Sequence, residues 1–221
     1  TASIPTSGRN VWTSEGGSLV AFEASAKAAT LARTGVAELY PVTASVNAAY
    51  IRGDQSNEES NGGTLRNRNS LLGDIVGSSP AYVKDTNTLY VGANDGMLHA
   101  FNAANGQEQF AYIPSIIDWD ALKSYSSGEY THRFFVDGPI AVTSKSLTSN
   151  ANILVGALGK GGTGLYALDV TSASAPSFKW ELKDTSAPSA GFMGKVLGKP
   201  VLGNVKGGTA AVIVGNGVDS V

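Results

Sequence analysis

Two short words recur along this chain and limit what it can fold into. The first is Leu-x-Ala-(Phe or Leu)-acid/amide. It stands at Leu19-Val-Ala-Phe-Glu23, Leu98-His-Ala-Phe-Asn102 and Leu165-Tyr-Ala-Leu-Asp169. The second is apolar-x-Val-Gly, at Leu89-Tyr-Val-Gly92, Ile153-Leu-Val-Gly156 and Val212-Ile-Val-Gly215. Each word is strand-like, and a unit that recurs cannot bury its apolar faces alone, so neighbours must stack on one another. The copies recur at roughly 60 to 80 residues, long for a propeller blade of about 40–50, so insertions are expected between strands.

The clearest unit is Leu89 to Tyr112. Asn94-Asp95-Gly96 reads as a hairpin turn, because these residues tolerate the turn's backbone angles at least cost. Leu98 and Ala100 then share one face, with His99 and Phe101 on the other. Asn105-Gly106 makes the next turn. Asn10 to Glu23 reads as a hairpin turning at Gly16-Gly17. Further strands are expected at 81–84, 133–139, 140–144, 153–159, 165–170, 177–182, 195–201 and 210–217. Ala24 to Ala37 is Ala-rich and reads as a short helix that Ser45 to Tyr50 continue. Ile116, Ile117, Trp119 and Leu122 give 114–130 a helical spacing. The polar stretch 55–69 reads as an exposed loop closed by Arg66 and Arg68.

The fold expectation is therefore all-β: a partial, modified β-propeller of about three to four blades with short helical insertions. A closed propeller has about four to eight blades. The chain thus reads as part of a larger ring, cut short at its C-terminus. An irregular β-sandwich is the alternative, and repeats suit it poorly. Residues 1–49 read as a segment leading into the propeller or a first partial blade, and 50–221 as the propeller portion.

Composition narrows function. Apolar residues are 42% of the 221, charged residues 15%, and the net charge is −2. That gives no broad attraction to nucleic acid or anionic lipid. There is no cysteine, hence no disulfide or thiolate metal site. No apolar run reaches the roughly 18 residues of a membrane helix.

Few residues suggest chemistry. Arg52-Gly53-Asp54 is the sharpest surface motif: exposed, it could offer a carboxylate to a receptor-bound cation and a guanidinium to an acidic pocket. The plainer reading is a turn at Gly53 with solvated or locally paired neighbours. Asp74, Asp95 and Asp137 sit beside Gly and read as turn caps. Asp118 and Asp120 point apart on a strand or helix, a poor geometry for paired acid–base work. His99 and His132 lie in different units and read as structural. Ser78-Ser79 precedes Pro80 and forms no nucleophile elbow. Gly156 to Gly164 lacks phosphate-loop spacing and leads into a strand, so it reads as a hairpin connector. Arg66 and Arg68 read as loop tethers before anion ligands.

Leu72-Gly-Asp-Ile-Val-Gly-Ser-Ser-Pro80, Val91-Gly-Ala-Asn-Asp-Gly-Met-Leu-His-Ala-Phe101, Phe110-Ala-Tyr-Ile-Pro114, His132-Arg-Phe-Phe-Val-Asp-Gly138, Gly164-Leu-Tyr-Ala-Leu-Asp169 and Val214-Gly-Asn-Gly217 resemble the PilC/PilY family of type IV pilus tip-associated proteins. The similarity runs from about Tyr50 to the C-terminus in the family's order. It implies a modified propeller in a large secreted protein that acts in pilus biogenesis, opposes retraction and mediates adhesion. The implied partners are pilin or minor pilins, a host-cell receptor or surface ligand, and the remaining blades of the same protein. The implied location is the cell surface or pilus tip, associated with the outer membrane or extracellular, reached through the periplasm. Family members carry a calcium loop of alternating Asp and Asn. No D-x-[DN]-x-[DN]-G pattern stands here, so no cofactor or metal is expected within this chain. The resemblance also carries Arg-Gly-Asp at a similar place, which makes Arg52, Gly53 and Asp54 the candidate adhesive residues of a non-enzymatic module. Loops 52–69 and 114–131 are expected to be displayed. Two rivals remain: a quinoprotein-like propeller enzyme, and a carbohydrate-binding propeller using Trp119 and Tyr125 as stacking platforms.

Overall fold

The computed structural model describes residues 3–23, 43–183 and 193–220. The helix expected over 24–37 lies outside the described residues. Strands β1 (Val11–Glu15) and β2 (Ser18–Ala21) form the expected hairpin across Gly16-Gly17. Strands β3 (Ala81–Val83), β4 (Thr88–Gly92), β5 (Leu98–Asn102) and β6 (Glu108–Ile113) form an antiparallel meander. A second meander joins β7 (Ile140–Val142), β8 (Ile153–Ala157), β9 (Gly164–Asp169) and β10 (Ser177–Lys183). The last pair is β11 (Val201–Asn204) and β12 (Ala210–Ile213).

The first hairpin is not a unit of its own. β1 pairs in parallel with β6, giving one six-stranded sheet in the order β2-β1-β6-β5-β4-β3. The words at Leu19 and Leu98 therefore lie in one sheet, which corrects a blade count made from word copies. The described residues give that sheet, a four-stranded one and a two-stranded ladder, and no sheet closes on itself. Pro80, Pro139 and Pro200 each stand immediately before β3, β7 and β11. Each of those strands is the outermost of its sheet. Proline lacks a backbone N–H and is tolerated where a strand begins or lies at an edge.

The sheets pack face to face through both sides of the second. From β9, Tyr166 and Leu168 enter the main core with Leu98, Ala100, Phe110 and Tyr112 of the first sheet. Leu165 of the same strand, with Ala157 and Val196, forms a separate cluster toward the third pair. Because both faces are covered, β9 is apolar along most of its length rather than alternating. The outer face of the third pair is open: Val201 and Ile213, cross-strand partners, are 60% and 57% exposed.

Both helical insertions meet over one end of the first sheet. Helix α1 (Ala44–Ile51) starts at Thr43, whose Oγ1 accepts the Val46 N–H. Helix α2 (Trp119–Lys123) starts at Asp118, whose carboxylate accepts the Ala121 N–H at 3.0 Å. Asn47 donates to the Lys123 carbonyl and accepts from the Ser126 hydroxyl. Tyr50 and Tyr125 meet edge to face at 6.0 Å. Leu122 seals against Gly96, at the tip of the β4–β5 turn.

Glycines permit the closest approach between sheets. A Cβ on Gly92 would stand 2.2 Å from the Val136 carbonyl oxygen. Gly92→Ala should therefore lower stability by about 1–3 kcal/mol through overpacking, read as a reduced denaturation midpoint in urea with an unchanged slope. An unchanged midpoint would show that the sheets can part there at no cost.

Candidate functional site

The most concentrated polar structure is a chain of buried charges on the face of the first sheet away from the second. Asp95 sits in the β4–β5 turn, His99 on β5, Glu108 on β6 and Arg9 just before β1. His99 is fully buried. Its Nε2 donates to Asp95 at 3.0 Å and its Nδ1 to Glu108 at 2.8 Å. Arg9 donates to both oxygens of Glu108, at 2.7 and 2.8 Å, and to the Arg52 carbonyl at 2.7 Å. Asp95 also accepts the N–H groups of Met97 and Gly73. Burial alone would push the His99 pKa down, but Asp95 and Glu108 outweigh it and raise it to about 9. Burial would likewise raise Glu108, but hydrogen bonds from His99 and Arg9 bring it to about 2. His99 is thus a structural imidazolium, as its sequence setting suggests.

This chain reaches the Arg-Gly-Asp triplet. Arg52 is the C-cap of α1, and its Nη2 donates back to the Arg9 carbonyl at 2.8 Å. Burial lowers the Arg52 pKa, with Glu23 opposing the shift and Arg9 adding to it. Gly53 is buried at φ +111°, its N–H on the Tyr50 carbonyl. A Cβ there would come within 3.3 Å of Arg9 and Leu71. Asp54 is half-buried; Oδ1 accepts the Ser56 N–H at 2.8 Å, and its carbonyl accepts from Arg68. The polar loop that follows had suggested exposure. Instead the triplet is a recessed helix end, and Arg52 and Asp54 line a groove of about 270 Å³ with Thr6, Ser7, Gly8 and Ala49.

Most of loop 55–69 is exposed, as its polarity suggests, but it is anchored from inside. Glu58, Leu65 and Arg68 are buried. Arg68 pairs with Glu58 at 2.7 Å, donates to the Tyr50 carbonyl and lies 3.6 Å from the Tyr50 ring centroid. Arg66 stacks on Tyr125 and Tyr130, at 4.7 and 4.8 Å, and donates to the Tyr125 carbonyl. Both arginines are tethers: Arg68 closes the loop onto α1, and Arg66 ties it to 114–131. Tyr125 is only 7% exposed, and Trp119 lies against Phe22 with its indole N–H on the Ser115 carbonyl. Tyr125 therefore offers no open stacking face, and Trp119 is half-buried.

A third cluster joins the first and second sheets. The Glu181 carboxylate, on β10, accepts from Ser14, Tyr112 and Ser115, taking both the N–H and hydroxyl of the last. Burial pushes the Tyr112 phenol up, and Glu181 adds to the shift. Asp74 accepts from Asn94 and His132, and Asp137 accepts the Gly77 N–H at 2.7 Å. Asp95 caps its own turn at Met97 and also holds the Gly73 loop, and Asp74 and Asp137 bind across to other loops. Asp118 caps α2, and Asp120 pairs with Lys123 at the surface. Among the described residues no three His, Asp or Glu side chains gather to hold a metal ion. Sequence reading missed Arg9, Glu58, Glu108 and Glu181. Arg9, Glu108 and Glu181 have partners far away in the chain, and Glu58 is one of several polar residues in its loop, ten positions from Arg68.

Comparison with known proteins places these features. The model of the PilY1 β-propeller domain family matches residues 72–221. A type IV pilus biogenesis factor PilY1 homolog of Xylella fastidiosa is 37% identical over 200 residues, 77% of this chain and 16% of its own length. The type IV pilus biogenesis factor PilY1 of Pseudomonas aeruginosa strain PAK is 36% identical over 203 residues, 78% of this chain and 17% of its own. The crystal structure of the Pseudomonas aeruginosa PilY1 C-terminal domain is similar at 35% identity and a TM-score of 0.45, covering 60% of this chain and 25% of that one. The chain thus spans about a sixth of the length of these curated relatives.

The His99 chain has a pH signature. Its folded pKa of about 9 lies above the ordinary 6.5, so its contribution is complete below pH 6.5 and is lost as pH rises through 9. Unfolding free energy should fall by about 1.4 kcal/mol per pH unit in that window. His99→Gln should flatten the slope in urea melts run from pH 6 to 10; an equal slope in the variant would assign it to other groups.

Proposed function

The chain belongs to the PilY1 β-propeller family, and from that premise we propose that it is a non-catalytic part of a type IV pilus biogenesis factor. The observation that carries this reading is the family match over 72–221, which takes in both meanders and the third strand pair. The geometry supports presentation rather than chemistry. Its most buried charged groups are spent inside the fold, on one another in the His99 chain and on hydroxyl and N–H donors around Glu181. We assign the segment no cofactor, and place the full-length protein at the cell surface or pilus tip with pilin or minor pilins as partners. Further blades of the same protein would cover the open Val201–Ile213 face. A quinoprotein-type enzyme is the rival, tested by quinone binding and alcohol turnover.

We further propose that the full-length protein opposes retraction. Glu181→Ala would strand Ser14, Tyr112 and Ser115 between the two sheets. In cells, surface pilin should fall severalfold with this variant and return when the retraction motor is also removed. Pili still absent without the motor would mean that the protein is needed to build the fibre and not to hold it out.

Adhesion through Arg52-Gly53-Asp54 is the finer reading. A receptor-bound cation would have to enter the groove and meet Asp54 at Oδ2, because Oδ1 holds Ser56. Asp54→Asn keeps the Ser56 acceptor and removes the charge. It should cut attachment to a receptor-bearing surface as strongly as Asp54→Ala while leaving the melting temperature unchanged. Full attachment by the Asn variant would reduce the triplet to a helix terminus.

A further inference from the structure

The loops leading into β3 and β7 meet at one end of the two sheets. Asp74 and His132 join them at 2.9 Å, each about half exposed. Gly77 and Asp137 join them again at 2.7 Å. Next to Asp74, Ile75 and Val76 stand 41% and 56% exposed. Two adjacent β-branched apolar residues in an open loop are unusual unless something covers them. Phe134, half-buried, meets the His132 ring edge to face at 4.9 Å, and Lys160 places its ammonium 4.9 Å from the Phe134 ring centroid. Arg133 is exposed beside them.

The charges here are lopsided. Both oxygens of Asp74 are engaged, and Asp137 is only 2% exposed. Among the described residues, Arg133 and Lys160 take part in no ion pair, in a chain whose net charge is −2. We propose that Ile75, Val76 and Phe134, flanked by Arg133 and Lys160, form a docking surface for an acidic polypeptide segment that carries aliphatic side chains between its carboxylates. The apolar trio supplies burial, and the two cations supply orientation and encounter rate. The geometry favours protein over nucleic acid or lipid: the two free cations flank apolar side chains and form no run along which a phosphate backbone could track. The proposal does not depend on the pilus reading.

The test uses the full chain and a labelled short peptide of alternating Glu and Leu, followed by fluorescence anisotropy. Peptides of Gln with Leu and of Glu with Gly separate the two contributions, and single-stranded DNA and phosphatidylglycerol vesicles probe the other sources of negative charge. The Glu–Leu peptide should bind best, and more weakly as salt rises. Arg133→Glu with Lys160→Glu should weaken it about tenfold, and Val76→Ser about threefold. These residues are exposed, so melting temperatures should hold. Absence of binding, binding unchanged in both variants, or preference for DNA or vesicles would each overturn the proposal.

Discussion

A short bent segment, Phe135 to Gly138, where a strand had been expected, is the joint between the two meanders, and the rest of the structure depends on how closely it is gripped. On one side its carbonyls lie against Gly77 and Gly92 of the first sheet's loops and strands. On the other, Phe135 and Gly138 lie against Gly161 and Gly159 beyond β8. No side chain larger than hydrogen fits at these four contacts. Backbone therefore meets backbone, and Phe135 and Val136 are driven into the core. Once the joint is set, Tyr112 and Tyr166 meet at 5.8 Å, and Glu181 can reach Ser14, Tyr112 and Ser115.

Buried charge is used in the same way. Desolvating an arginine, two carboxylates and an imidazole costs several kcal/mol each, which only close partners can offset. Arg9, Glu108, His99 and Asp95 provide those partners for one another. Because the members come from the N-terminal segment, two strands and a turn, the network has one acceptable register. Glu58 and Arg68 repeat the device within one loop. These pairs specify position more than they add stability, and they explain why the Arg-Gly-Asp triplet is held as a helix end.

Local signals were legible. Gly16-Gly17 and Asn94-Asp95-Gly96 marked turns because few residues accept those backbone angles. Ile116, Trp119 and Leu122 marked a helix by spacing, and the Leu-x-Ala word marked β5 and β9. Loop character was read in part. Most of 55–69 is exposed, as its polarity suggested, but Glu58 and Arg68 are inside because each satisfies the other. The first Leu-x-Ala copy suggested a separate unit, but β1 found an open edge on β6. Pro80, Pro139 and Pro200 were a third repeated mark, and one that a reading centred on apolar words passes over.

What the chain's order of residues determined by itself is strand, turn and family, since these rest on contacts between near neighbours and on whole motifs. Which sheets share a face, which loop polar groups are buried and what the triplet can reach were decided only by tertiary structure. Those outcomes rest on pairs such as Arg9 with Glu108 and Ser14 with Glu181, whose members lie far apart along the chain. A charge looks the same in a sequence whether water or a distant partner satisfies it.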